Sequence, residues 1–118
     1  MQKVLYQYKA VVTSVYDGDT CAVDIDLGLH TWVRGEKIRL MRINAPELRG
    51  KERKKGLLSK AFLKELIEGK EIIIATFKDK KEKYGRYLGE IWLNKNGKDY
   101  INVNDLLVAK GFAVYKEY

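Results

Sequence analysis

Three short polar segments carry the chemistry of this 118-residue chain: Asp17-Gly18-Asp19-Thr20, Arg39 to Glu47, and Lys83-Tyr84-Gly85-Arg86. Each falls at a turn or a strand end. Hard divalent cations take oxygen donors from carboxylates, amide carbonyls and backbone carbonyls, and Asp19, Asn44 and Glu47 offer such oxygens beside two chain reversals. A calcium or magnesium site is therefore chemically reasonable. Singly, each residue has a plainer reading, since Asp-Gly is an ordinary turn and a carboxylate after Pro46 is ordinarily solvated. Arg39 lies between apolar Ile38 and Leu40, so burying it calls for an anionic partner. A phosphate or an internal carboxylate would serve equally. Arg86 follows a Tyr-Gly turn at a strand entrance, where an exposed turn residue is the plain alternative.

Histidine and cysteine chemistry is excluded by scarcity. His30 is alone, which removes histidine triads and multi-histidine zinc sites, and Cys21 is alone, which removes an intrachain disulfide. Cys21 reads as a small buried hydrophobe. Lysine plus arginine outnumber aspartate plus glutamate 23 to 16, and the net charge of +7 creates a field that attracts polyanions. Nucleic acid is the first partner to consider, although such charge can also serve solubility alone. A hydrophobic share of 46% with a single proline argues against disorder, and the apolar runs are too short to cross a bilayer. One compact domain over residues 1–118 and a monomer are expected. Met1 to Ala10 alternates like a strand, so no signal peptide is visible.

The elements that must position these residues follow from patterning. Val4 to Val15 and Thr20 to Leu29 alternate apolar and polar residues around the Asp17-Gly18 turn, which predicts a hairpin. Ile38 to Ile43 predicts a third strand, and Leu48 to Lys55 a charged loop. Leu58, Phe62 and Leu66, flanked by Leu57 and Ala61, predict the apolar stripe of a helix closed by Gly69. Glu71 to Phe77, with Ile72 to Ile74, predicts a strand buried on both faces, and Tyr87 to Leu93 another. Asn96-Gly97 is a turn leading into Tyr100-Ile101, and Asn104 is positioned to cap a last helix over Asp105 to Lys110. Three strands, a helix, two strands and a helix fit a mainly β, α+β fold. This is the five-stranded OB-type barrel, with a helix after strand 3 and a short C-terminal helix.

The three segments, in this order, resemble the active-site signature of the staphylococcal (micrococcal) nuclease, or thermonuclease, family: Asp-Gly-Asp-Thr, then Arg with an Asp-x-Pro-Glu segment, then Tyr-Gly-Arg. The resemblance implies a calcium-dependent endonuclease. It would hydrolyse DNA and RNA with little sequence preference and leave 3′-phosphate ends. It implies Asp19, Asn44 and the Ala45 carbonyl as Ca2+ ligands, and Glu47 as the group that orients or deprotonates the attacking water. Arg39 and Arg86 would be the phosphate-binding pair, with Lys83 and Tyr84 holding a terminal phosphate of the nucleotide. This chain has Asn44 where familiar members have Asp, so weaker calcium binding is expected. Familiar members add a further C-terminal helix and a tyrosine pair near the base pocket, for which Tyr115 and Tyr118 are the candidates to substitute. Members are often secreted. The alternative is a catalytically silent nucleic-acid-binding module of the kind found in Tudor-containing scaffolds; a generic single-strand binder would instead use Tyr6, Tyr8, Tyr84 and Tyr87.

Overall fold

The computed structural model describes residues 6–81 and 83–116, and for residues 78–80 the backbone only. Val4 and Tyr118 lie outside the described residues. Strand β1 (Gln7–Asp17) turns at Gly18 into β2 (Thr20–Gly28), which pairs antiparallel with β3 (Thr31–Leu40). After α1 (Arg53–Ile67), β5 (Glu71–Lys81) returns beside β1, and β6 (Tyr87–Asn94) pairs with β5. Two-residue β4 (Ile43–Asn44) precedes α1. Strand β6 then runs parallel to β3, with Ile38 opposite Tyr87 and Leu40 opposite Gly89. That last pairing joins the two edges of the sheet and closes a five-stranded barrel of β1, β2, β3, β6 and β5. Short β7 (Tyr100–Asn102) extends the sheet beyond β6, α2 (Val103–Ala109) follows, and β8 (Val114–Tyr115) pairs with β4. The predicted α+β barrel is thus the observed one.

Alternation places Val12, Val23, Ile38, Leu40, Ile74 and Ile91 inside the barrel, all fully buried. Leu63 and Ile67 of α1 join the same core. The helix is tied to β1 at its C-terminal end, where the Glu68 carboxylate accepts from Val15 N at 3.1 Å and Gly69 N donates to the Val12 carbonyl at 2.7 Å.

Four sequence expectations need correction. The segment Leu48 to Lys55 is not simply a loop: a 3-10 turn spans Gly50–Glu52 and α1 begins at Arg53. The stripe of α1 that is buried is Gly56, Ser59, Leu63 and Ile67, while Leu57 and Leu58 are exposed and Phe62 and Leu66 only partly covered. The third strand starts earlier than expected and stops at Leu40, because Arg42 adopts φ +70° and sets Ile43–Asn44 apart as β4. Asn102, not Asn104, caps α2, its side chain accepting from Asp105 N at 2.9 Å.

Asn104 is instead fully buried: its amide donates to the Met41 and Gly89 carbonyls at 2.9 and 3.1 Å and accepts from Ile91 N at 3.1 Å. These bonds hold α2 against the end of β3 and against β6. Removing them leaves buried backbone groups unpaired. Asn104→Ala is expected to lower unfolding free energy by about 2 kcal/mol, read from urea titration; no change would show that water replaces the amide.

Candidate active site

The corner between β1 and β2 is fixed before any side chain acts. Asp17 Oδ1 accepts from Asp19 N at 3.0 Å, a local bond that shapes the turn. A Cβ on Gly18 would stand 2.7 Å from both Ala45 Cβ and Ser59 Cβ, so only glycine lets the turn, the segment after β4 and α1 meet there. Gly56 acts likewise, since a Cβ there would overlap the Glu47 and Pro46 carbonyl oxygens. One turn glycine, Gly18, and one helix glycine, Gly56, thus bring the first and second polar segments together.

Around that contact, Asp19 is buried with its Oδ2 accepting from Ala45 N at 2.8 Å and lying 3.3 Å from Arg39 Nη2. Its Oδ1 accepts from the Thr20 hydroxyl at 3.2 Å. Arg39 Nη2 also donates to Asn44 Oδ1 at 3.1 Å, and Nη1 to the Leu40 carbonyl at 2.7 Å. Register supports this meeting, for Thr20 pairs with Arg39 across β2 and β3. The anionic partner that the position of Arg39 demanded is therefore, at least in part, Asp19.

Arg86 enters from the β5–β6 connection, its Nη1 donating to Thr20 Oγ1 at 3.3 Å and its guanidinium lying 5.5 Å from the Tyr84 ring centroid. Lys83 Nζ lies 5.0 Å from the same ring. Tyr84 is 70% exposed, so a stacked, cation-flanked aromatic faces solvent beside the corner. Asp19, Thr20, Arg39, Asn44, Ala45 and Arg86 are joined by direct contacts, and Lys83 and Tyr84 by way of Arg86.

Glu47 stands apart from this set. Its carboxylate accepts from Arg49 Nε at 3.3 Å and is 63% exposed, while its backbone N donates to Glu52 Oε1 at 3.1 Å. Tyr115 is likewise engaged elsewhere: its hydroxyl donates to Asp105 Oδ1 at 2.9 Å, and Arg42 bridges Asp105 and Glu90 beneath it. This second polar cluster ties β4, β6, α2 and β8 together. Its arginine sits inside the Arg39 to Glu47 segment, yet nothing in spacing distinguished Arg42 from a solvated strand residue.

Burial, above all, raises the Asp19 carboxyl to a pKa of about 6, helped by the neighbouring Asp17 and opposed by Arg39. The corner is thus short of positive charge even with a guanidinium in contact. An added cation would favour the ionised carboxylate, and Asp19, Asn44 Oδ1 and the Ala45 carbonyl are hard oxygen donors of the kind calcium takes. Among the described residues no three Asp, Glu, His or Cys side chains cluster as a metal site, so any cation here would rest on fewer than three carboxylates, with amide and backbone oxygens completing its shell. No helix among the described residues is long and apolar enough to cross a membrane.

A family model described as staphylococcal nuclease homologue matches residues 37–118. The matched stretch holds Arg39, Asn44, Glu47 and Arg86, and begins after the Asp17 to Thr20 turn. An uncharacterized protein of the archaeon Methanocaldococcus jannaschii is 31% identical over an alignment covering 90% of this chain and 58% of that protein. The chain therefore spans little more than half of that relative's length.

Proposed function

The chain belongs to the staphylococcal nuclease homologue family, and from that premise we propose that it is a calcium-dependent endonuclease cutting DNA and RNA backbones to leave 3′-phosphate ends. The observation that carries the proposal is the convergence of Asp19, Asn44 and Arg39 at one corner, with Arg86 joined to it through Thr20. Asp19, Asn44 Oδ1 and the Ala45 carbonyl are the donors that would hold Ca2+, whose chemistry is to neutralise phosphate charge and make its water more acidic.

Arg39 and Arg86 donate from their guanidinium N–H groups to the non-bridging phosphate oxygens, where charge grows as phosphorus becomes five-coordinate. Glu47 turns from Arg49 to orient the attacking water or take its proton, the water oxygen forms the new P–O bond as the bond from phosphorus to the 5′-oxygen breaks, and the departing 5′-oxygen takes a proton from solvent water. Lys83 and Tyr84 hold the nucleotide beyond the cut. Residues 1–118 act as one monomeric domain in this reading. Purified protein is expected to degrade single-stranded DNA or RNA with calcium and to stop when chelator removes it; cleavage indifferent to chelator would sink the metal mechanism.

The second reading, a silent binding module, draws on Arg39 being already paired with Asp19 and on Glu47 being held by Arg49. Salt-sensitive binding with no cleavage under any metal would establish it. Asn44 supplies a further test. Asn44→Asp places another negative charge against the cation, and about tenfold tighter calcium binding is expected after desolvation and competition from Arg39 are subtracted. Asn44→Ala should weaken binding. Calorimetric titration giving one constant for all three proteins would show that Asn44 is no ligand.

A further inference from the structure

Strand β3 carries a device that the corner site does not use. Pairing runs Ile25 to Val33 and Val23 to Glu36, so a step of two residues on β2 faces a step of three on β3. The extra residue makes a bulge at Arg34–Gly35, with Gly35 at φ +67°. Asp24 pins it, accepting from Gly35 N at 2.9 Å and from Arg34 Nη1 at 3.0 Å. Without the bulge, alternation from inward-facing Val33 would send Glu36 outward. With it, Glu36 shares the face of its partner Val23, which is fully buried in the barrel.

A carboxylate is thereby delivered to an open mouth of the barrel. The cavity there measures about 150 Å³, walled by Tyr8, Leu27, Val33 and Tyr87 with Glu36 and buried Thr76 as its polar lining. Among the described residues no side chain or backbone group donates to the Glu36 carboxylate. A carboxylate in an apolar recess is satisfied by a ligand that brings N–H donors. A cation lies beside the mouth, with Lys81 Nζ 5.0 Å from the Tyr87 ring.

We propose that this mouth is a subsite for an unpaired guanine of a nucleic-acid strand, with Glu36 as the residue that selects it. The inference rests on the nuclease reading and adds a base preference at one position flanking the cut. Guanine presents N1–H and N2–H side by side, so one carboxylate accepts both. Adenine, cytosine and thymine each set an acceptor beside the donor, and that acceptor would face the carboxylate. The flat base stacks on the tyrosines while Lys81 meets a neighbouring phosphate. Tyr87 of the mouth follows Arg86 of the corner site directly in the chain, and Glu36 precedes Arg39 by three residues on β3. Because guanine's pairing edge is consumed, the strand must be single.

The test measures binding of labelled oligothymidylates carrying one central dG, deoxyinosine or dA, in chelator so that no cutting occurs. The dG strand is expected to bind about tenfold more tightly than the dA strand, with deoxyinosine, which lacks the N2 amine, in between. Glu36→Gln should bring dG and dA to within about twofold, weakening dG binding because one N–H of guanine loses its acceptor, and strengthening dA binding because the new amide donates to the adenine acceptor. Equal binding of dG and dA by the parent, or discrimination that survives in Glu36→Gln, overturns the guanine subsite and leaves the nuclease reading standing. A parent that binds none of the strands at low salt overturns both.

Discussion

Glu47→Ala is expected to lower turnover on single-stranded DNA by about a hundredfold or more while leaving the unfolding midpoint in urea unchanged. The two halves of that result come from different observations. Among the described residues the Glu47 carboxylate pairs with Arg49 alone, the two side chains being 63% and 87% exposed, and such pairs contribute about 0–1 kcal/mol. Nothing in the fold depends on the carboxylate, since the backbone N of Glu47 is held by Glu52 in either case. Arg86→Ala should behave the same way in turnover, at a small expense in stability from the lost Thr20 bond. Arg39→Ala must differ: its side chain is 9% exposed, and truncation strands the Asp19 carboxylate in a buried corner. Loss of about 3 kcal/mol of stability would accompany the loss of activity there. Arg39→Lys separates the two, keeping the charge beside Asp19 while removing the forked donors that meet phosphate and Asn44. Unchanged turnover in Glu47→Ala would remove the residue from the mechanism.

Why Glu47 was legible as chemistry but not as geometry illustrates what the chain reveals about itself. Turn and strand-end motifs are local, so Asp17 to Thr20, Asn44 to Glu47 and Lys83 to Arg86 stand out by residue type alone. Their convergence depends on long-range contacts. Gly18 meets the Cβ atoms of Ala45 and Ser59, and Gly56 meets the Glu47 backbone carbonyl, and small residues in a helix leave no hydrophobic signature. That is also why the helix stripe was displaced: pattern reading rewards Leu57 and Leu58, whereas close approach rewards Gly56 and Ser59. Strand β3 was half missed because the Arg34–Gly35 bulge breaks the period of two on which strand reading depends. Asn102 and Asn104 are indistinguishable as caps in sequence. Only the packing of α2 on β6 decides that one meets the helix N-terminus and the other the buried Met41, Gly89 and Ile91 backbone.

The cation-free protein is expected to be held back in stability at neutral pH by the group proposed to bind calcium. Burial raises the Asp19 carboxyl from 3.8 to about 6, so the folded state holds its proton more tightly than the unfolded chain does. For a raised carboxyl the favourable contribution is complete below pH 3.8 and disappears as pH climbs through about 6. A displacement of about two units corresponds to about 3 kcal/mol by pH 7.5. Asp17 and Arg39 are the charged neighbours acting on it, in opposite senses, and the side chain is only 10% exposed, so screening by solvent does little. Other carboxylates also titrate in this range, which makes the informative quantity a difference between two proteins. Asp19→Asn mimics the protonated carboxyl in shape and charge. Losing the anionic partner of Arg39 sets a constant offset, and on top of it the stability difference should move by up to about 3 kcal/mol in favour of Asp19→Asn between pH 4 and pH 7.5, both proteins read in chelator by urea unfolding. Calcium should then raise the stability of the parent and leave Asp19→Asn where it was, because a cation that binds only the folded state stabilises in proportion to its affinity. A stability difference between the two proteins that stays flat from pH 4 to pH 7.5 would mean that Arg39 alone neutralises Asp19. The corner would then have no unmet demand for a second positive charge.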